Sequence, residues 1–200
     1  MSSLRTAQKQ MTRSRLLASG IELFQKKGYA ATTVDDIAAG AGATRSTFYL
    51  HFASKTQLMI ALIDEINDKV VASDVPRLTQ VVATGDRDQI RTWLSRRFDQ
   101  WPEIMPYVTA GHQAAGTDPE IAAAVRRWLE SAVDEIHAGL DQAGRFAPAS
   151  RRVRAVLAFG QVEFLSRRWF SEGWDESVDR DATLQALTDT WHYLLLEPAA

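Results

Sequence analysis

Residues 32–55 read TTVDDIAAGAGATRSTFYLHFASK, and this segment predicts the structure of the N-terminal part of the chain. The spacing of its apolar residues predicts a short helix over 34–41, with the Thr33 hydroxyl as the N-cap. Gly42 supplies a residue that tolerates a positive φ, and Thr44 is placed to cap a second helix. The sequence therefore predicts two short helices joined by a tight turn.

The second helix exposes hydrogen-bond donors rather than carboxylates. Phe48 and Phe52 lie four residues apart and are predicted to be buried together, which leaves Arg45 and Ser46 exposed at the helix N-terminus. Arginine bonds guanine O6 and N7 with two N–H groups, and serine donates or accepts, so these two residues are predicted to read base edges. The other residues predicted to contact DNA are Thr33, Thr44, Thr47, Tyr49, His51 and Lys55. An ordinary packing unit of two helices is the alternative interpretation.

A longer pattern, G-x-x-x-T-T-V-x-D-I-A-x-x-A-G-x-T-R-x-T-F-Y-x-H-F-x-S-K, runs from Gly28 to Lys55. It resembles the N-terminal domain of the TetR family of transcriptional regulators, and the resemblance covers about residues 16–62. It implies an all-α protein with an N-terminal three-helix, helix-turn-helix DNA-binding domain and a C-terminal helical domain for ligand binding and dimerisation. In this resemblance the first helix covers 15–29. Asp35 and Asp36 depart from it, because helix two carries no basic residue.

Charge is divided unequally along the chain. Residues 1–55 hold eight Lys or Arg and three Asp or Glu, whereas residues 56–200 hold fifteen and twenty-two. A positive N-terminal arm before the first helix is predicted to follow the phosphate backbone or to enter the minor groove. A solvated, disordered start from Met1 to about Lys9 is the alternative.

Beyond Lys55 the chain has helical periodicity and no alternating strand pattern, which predicts an all-α class. The predicted domains are a basic arm and helix-turn-helix domain over 1–55 and an effector-binding and dimerisation domain over 73–200. A helix over 54–72, capped by Ser54, links them and ends before Pro76. Further helices are predicted over 77–84, 87–101, 103–115, 118–144, 150–173 and 179–196.

The helix from Ser150 carries apolar residues around most of its circumference, which predicts a second apolar partner. The family resemblance implies that the last two helices form a four-helix bundle with a second copy. The predicted interface residues are Val156, Phe159, Leu184, Leu187, Trp191 and Leu195. A homodimer on a palindromic operator is therefore predicted, since two-fold symmetry spaces two recognition helices by about 34–36 Å. Truncation near Ala147 is expected to leave a monomer. A monomer core is the alternative role for these residues.

All six tryptophans lie beyond the predicted DNA-binding segment. The family resemblance implies an effector pocket among the middle helices, and aromatic walls favour a flat or apolar small molecule. The predicted walls are Trp101, Met105, Tyr107, Trp128 and Phe164, and the predicted polar anchors are Thr109, His112, Gln113 and Gln161. Ordinary core packing is the alternative for each. The resulting hypothesis is a ligand-responsive regulator, with repression implied as the family's usual mode.

Other function classes find little support in the sequence. There is no cysteine, and the four histidines never approach ligand spacing, so neither a metal nor a cofactor is expected. G-x-S-x-G, H-E-x-x-H and P-loop motifs are missing, so an enzyme is not predicted. A helical small-molecule-binding or interaction module without a DNA role is the alternative function. Because no apolar run suits a signal peptide or membrane span, a cytoplasmic protein without a membrane partner is expected.

Overall fold

The computed structural model describes residues 2–172 and 179–196. Trp174 and nearly all of the predicted break before the last helix lie outside these residues. Helices occupy most of the described chain and no strand occurs there, so the all-α prediction is confirmed. The helices are α1 (Ser2–Lys27), α2 (Val34–Gly40), α3 (Arg45–Tyr49), α4 (Lys55–Ser73), α5 (Leu78–Thr84), α6 (Arg87–Ala115), α7 (Pro119–Ala143), α8 (Pro148–Glu172) and α9 (Arg180–Leu195).

Two helices are longer than the sequence predicts. Helix α1 begins at Ser2, so the N-terminal residues are helical, and the alternative of a disordered start is wrong from Ser2 onward. Helix α6 continues through Pro102, where the prediction ended one helix and began another. A proline inside a helix removes one backbone hydrogen bond. Burial of Trp101, Ile104 and Val108 on both sides of Pro102 offsets that loss.

The chain divides into two compact units, and the first comprises Met1–Asp68 and Pro106–Trp128. Its core includes Leu16 and Phe24 from α1, with Ile37 and Phe48 from the two short helices. In α6, a Cβ at Gly111 would lie 3.2 Å from the Val125 side chain of α7. The N-terminal helices thus share their unit with the end of α6 and the start of α7.

A chain of hydroxyl and carboxyl groups also holds the first unit together. The Thr56 hydroxyl donates to Asp118 Oδ2 at 2.6 Å and lies 3.4 Å from the Tyr29 hydroxyl. Asp118 Oδ1 accepts from the Glu120 amide at 3.0 Å, at the start of α7. The Thr56 hydrogen bond lowers the pKa of Asp118. The same carboxylate thus caps α7 and bonds to α4.

The second unit comprises Lys69–Met105 and Leu129–Ala200. Its core contains the stacked rings of Trp93 and Trp191, whose centroids are 5.4 Å apart. The Trp191 indole N–H donates to the Ala158 carbonyl oxygen at 3.1 Å, which attaches α9 to α8. Near the start of this unit, Arg97 donates to Asp74 at 3.0 Å, and both side chains are largely buried.

Among residues 2–172 and 179–196, every helix is too short or too polar to cross a lipid bilayer.

Candidate nucleic-acid interface

Thr33 caps α2, as the sequence predicts, and it also forms a capping box with Asp36. The Thr33 hydroxyl accepts from the Asp36 amide at 3.1 Å, and Asp36 Oδ2 accepts from the Thr33 amide at 2.8 Å. Lys27 at the end of α1 donates to the same carboxylate at 2.6 Å. Lys27 and Thr33 together hold the pKa of Asp36 well below its usual range. One carboxylate therefore fixes the start of α2 and its connection to α1.

The turn between α2 and α3 has the geometry that glycine permits. Gly42 has a φ of 66°, in the left-handed region, and the Ala43 amide donates to the Ala38 carbonyl at 2.8 Å. Thr44 then caps α3, its hydroxyl accepting from the Thr47 amide at 3.1 Å. The predicted turn and both predicted N-caps are confirmed. The two short helices form a helix-turn-helix within the first unit.

Helix α3 has one buried face and one polar face. Phe48 is fully buried and Phe52 nearly so, whereas Arg45 and Ser46 are exposed and Tyr49 is 46% exposed. Arginine, serine and tyrosine together supply the donors and acceptors that base edges and phosphates require. The helix thus presents the predicted base-reading residues to the outside of the protein.

Arg45 forms a small polar cluster with residues from both short helices. Its guanidinium donates to Asp35 Oδ2 at 2.6 Å and to the Tyr49 hydroxyl at 3.3 Å, and lies 5.6 Å from the Tyr49 ring centroid. The Asp35 charge, followed by Tyr49, raises the pKa of Arg45. Asp35 and Arg45 are ten positions apart, so the sequence alone does not pair them.

The hydroxyl groups at the start of α3 also lie close together. Thr44 Oγ1 is 2.8 Å from Ser46 Oγ and 2.9 Å from Thr47 Oγ1. Thr44 and Ser46 are exposed and Thr47 is partly exposed. Thr44 therefore has a structural role as a cap, while Ser46 extends the polar edge that contains Arg45.

His51 lies at the end of α3, beside the first turns of α1. Arg5, Lys9, Thr12 and His51 contribute to a groove of about 1160 Å³. Burial, followed by the charges of Lys9 and Arg13, lowers the pKa of His51. This shift favours the neutral form of the imidazole, and contact of His51 with DNA stays a prediction.

Helix α1 carries a basic stripe in the region where the sequence predicts a positive N-terminal arm. Arg5, Lys9 and Arg13 occur at intervals of four residues, so a continuous helix places them on one face. The Arg13 guanidinium lies 5.2 Å from the Phe52 ring centroid, next to the end of α3. The four-residue spacing of these basic residues is visible in the sequence. It indicates a basic helix face only when the helix is known to begin at Ser2.

Lys55 does not have the exposed ammonium group that the prediction assigned to it. Its Nζ donates to the carbonyl oxygens of Tyr29 at 2.7 Å and Thr32 at 2.8 Å, and lies 4.2 Å from the Tyr29 ring centroid. Burial lowers its pKa. These contacts direct the ammonium into the loop between α1 and α2, and phosphate contact by Lys55 stays a prediction.

Lys55→Met is expected to lower the free energy of unfolding by about 1–2 kcal/mol, because two carbonyl groups lose a charged donor. Thermal unfolding of the full chain measures this loss, with Lys26→Met at an exposed position of α1 as the matched control. If Lys55→Met has unchanged stability but binds DNA weakly, the result would instead indicate that Lys55 contacts a phosphate.

The predicted ligand residues do not share one environment. Trp101 and Met105 are buried in the second unit, and Gln161, also there, is partly exposed with a buried Oε1. Tyr107 and Trp128 are partly exposed within the first unit. Four further residues are exposed on the surface, and ligand contact by any of the nine stays a prediction. These exposed residues are Thr109, His112, Gln113 and Phe164.

The predicted dimer residues also divide into two groups. Leu184, Leu187, Trp191 and Leu195 are at most 4% exposed, so they fill the core of their own chain and the interface prediction is wrong for them. Val156 is exposed, and Phe159 is partly so. The accessible apolar residues of α8 form a helical stripe, which we call the α8 stripe. It consists of Val153, Val156, Leu157 and Phe164.

Comparison with known proteins agrees with this geometry. Residues 16–62 match the family profile described as "Bacterial regulatory proteins, tetR family". The chain is 26% identical over 179 residues to the HTH-type transcriptional activator FasR of Mycolicibacterium smegmatis, covering 86% of this chain and 78% of FasR. It is 29% identical over 209 residues to the HTH-type transcriptional regulator TtgR of Pseudomonas putida, covering 95% and 94%.

The fold is also found among solved structures. The crystal structure of AibR in complex with isovaleryl coenzyme A and operator DNA superimposes with a TM-score of 0.64 at 19% identity, covering 90% of this chain and 97% of that one. A helix-turn-helix with an exposed arginine-bearing helix, followed by a larger helical part, defines a DNA-binding transcriptional regulator. Specifically, residues 16–62 give the chain the N-terminal domain of the TetR family of bacterial regulators.

Proposed function

We propose that this protein is a transcriptional repressor that binds a palindromic operator as a homodimer and is released by a small molecule. The main support for this proposal is the structure of α3. This helix buries Phe48 and leaves Arg45, Ser46 and Tyr49 exposed beside a glycine turn. Arg45 and Ser46 read base edges in the major groove. Operator DNA lies in the bacterial cytoplasm, which is the compartment proposed for the chain.

The basic stripe of α1 is proposed to contact phosphates. Changing Arg5, Lys9 and Arg13 together to glutamine is expected to lower the slope of log affinity against log salt by about 3 per chain, since each phosphate contact contributes about 0.9. Lys26, Arg126 and Arg127 provide a control triple with the same charge change at exposed positions. An unchanged slope would place the stripe away from DNA.

The α8 stripe is proposed as the contact between two copies of the chain. Its residues lie three, one and seven positions apart along the helix. A Cβ added at Gly160, between Leu157 and Phe164, would meet no atom of another element within 4 Å. On the opposite face, Ala155, Ala158 and Val162 pack inside the chain. An apolar face of this kind on a charged protein is typical of an interaction site, and a two-fold dimer buries it against itself.

The larger helical part is proposed to bind the effector. The functional division proposed is a DNA-binding domain over 1–55 and an effector-binding and dimerisation domain over 73–200, linked by the helix over 54–72. The AibR complex, which holds both a small molecule and operator DNA, supports a regulator that responds to a ligand. Effector and operator then weaken each other's binding reciprocally, with a coupling of about 1–3 kcal/mol.

Capture of genomic fragments by the full chain tests the proposed function. The protein is expected to enrich a small set of fragments that share an inverted repeat, and higher salt is expected to weaken binding to all DNA while the enriched set keeps its preference. A promoter reporter carrying an enriched fragment then gives the direction of regulation. A fragment population that matches the input at both salt concentrations would refute the proposal.

A further inference from the structure

Asp35 places a negative charge next to the residue that is proposed to read DNA. Its side chain is 61% exposed and that of Arg45 is 59% exposed, so solvent screens the ion pair between them. An ion pair this exposed contributes little to folding stability. Asp36, the neighbouring carboxylate, already supplies the structural contacts of α2 with Thr33 and Lys27. The structure therefore gives Asp35 no comparable role in the fold.

The contacts of Asp35 restrict the guanidinium group of Arg45. Arg45 Nη1 donates to Asp35 Oδ2 at 2.6 Å, and Nη2 donates to the Tyr49 hydroxyl at 3.3 Å. The two bonds involve different terminal nitrogens, so together they restrict rotation of the planar group. A guanidinium has five N–H groups, and these two contacts leave three of them for a ligand. Two of the three suffice for the O6 and N7 atoms of one guanine.

The charge of Asp35 also opposes binding to DNA in general. Helix α2, Val34–Gly40, carries Asp35 and Asp36 and no basic residue. A carboxylate near the phosphate backbone weakens association with every DNA sequence, since phosphate contacts supply most non-specific affinity. The same carboxylate orders the arginine that reads bases. Both effects favour the correct sequence relative to all others.

We propose that Asp35 is a specificity-determining residue, which positions the Arg45 guanidinium for a guanine and penalises binding to unrelated DNA. This inference rests on the proposed function, because it assigns a role to Asp35 within the same DNA-reading surface. Asp35 acts through Arg45, so it is a positioning residue whose removal changes the choice of sequence more than the affinity.

The test uses the full chain and the duplex that the wild-type protein enriches from random-sequence DNA. Affinity is measured for that duplex, for a shuffled duplex of equal composition, and for the enriched duplex with 7-deazaguanine in place of guanine. The variants are Asp35→Asn, Arg45→Ala and Glu22→Gln. The last makes the same charge change as Asp35→Asn at an exposed position of α1.

Asp35→Asn is expected to reduce the affinity ratio of enriched to shuffled duplex about tenfold, and to bind the shuffled duplex more tightly than the wild type does. The wild type is expected to lose about tenfold in affinity when guanine N7 is removed, whereas Asp35→Asn and Arg45→Ala lose little. Glu22→Gln should retain the wild-type ratio. A purely structural role for Asp35 would not change the dependence on guanine N7.

The outcomes separate this inference from the proposed function. If the wild type enriches a duplex and Asp35→Asn keeps both the affinity ratio and the dependence on guanine N7, the positioning role is refuted and DNA binding stands. If the wild type enriches no duplex, the proposed function fails and the role of Asp35 fails with it.

Discussion

Asp74→Ala is expected to lower the free energy of unfolding of the second unit by about 3 kcal/mol. Asp74 is 7% exposed, and it accepts a hydrogen bond from Arg97, whose side chain is 11% exposed. Burial lowers the pKa of Arg97 and the Asp74 charge opposes that effect, so removal of Asp74 leaves a poorly solvated cation. Breaking a buried ion pair costs about 3–5 kcal/mol, and the nearby Glu135 charge favours the lower end.

Thermal unfolding measures this effect. For a chain of this size, 3 kcal/mol corresponds to a fall of about 6–12 °C in the unfolding midpoint. Asp99→Ala is the matched control, because the Asp99 pair with Arg180 is 66% and 38% exposed. That variant is expected to lose no more than about 1 kcal/mol. Equal losses in the two variants would show that the buried Asp74 pair has no special importance.

Val156→Arg is expected to convert the proposed dimer into a monomer and to weaken operator binding by about 100-fold or more. Val156 is 47% exposed on the α8 stripe, so a single chain with arginine at this position is expected to fold normally. In a dimer, the two-fold axis brings the α8 stripes together, and buried guanidinium groups without partners oppose association. Linkage of two recognition helices multiplies affinity by about 10²–10⁴, and a monomer loses that gain.

Sedimentation and operator titration measure the two consequences together. Val75→Arg is the control, since Val75 is 73% exposed and lies outside the α8 stripe. It should remain a dimer with unchanged affinity for DNA. A Val156→Arg protein that still sediments as a dimer would move the interface to another surface. Truncation near Ala147 is unsuitable for this purpose, because it removes Trp191 and Ala158 from the core.

The sequence predicted the helix-turn-helix well because its determinants are local. The caps at Thr33 and Thr44 and the left-handed Gly42 act on residues only a few positions away. They can therefore be predicted from a short segment of sequence. The same window identified Phe48 as buried and Arg45 as exposed, since a helix of known phase separates the two faces.

The remaining features depend on contacts between distant residues. Lys55 bonds to carbonyl groups of the α1–α2 loop that lie 26 and 23 positions earlier in the chain, so this contact exists only in the folded domain. Apolar periodicity in α8 and α9 identified residues that avoid water, but it does not tell which partner covers them. Leu184 and Trp191 are covered by their own chain, whereas Val156 is not. Helix α6 passes through Pro102 for the same reason, since tertiary burial exceeds a local preference.

Footprinting of the enriched operator by wild type and by the Arg45→Ala/Tyr49→Ala double variant shows whether α3 reads DNA through its exposed polar face. The wild type is expected to protect two half-sites separated by about one helical turn or a multiple of it, and the double variant is expected to lose that protection while keeping its fold. An unchanged footprint in the double variant would contradict this role of α3.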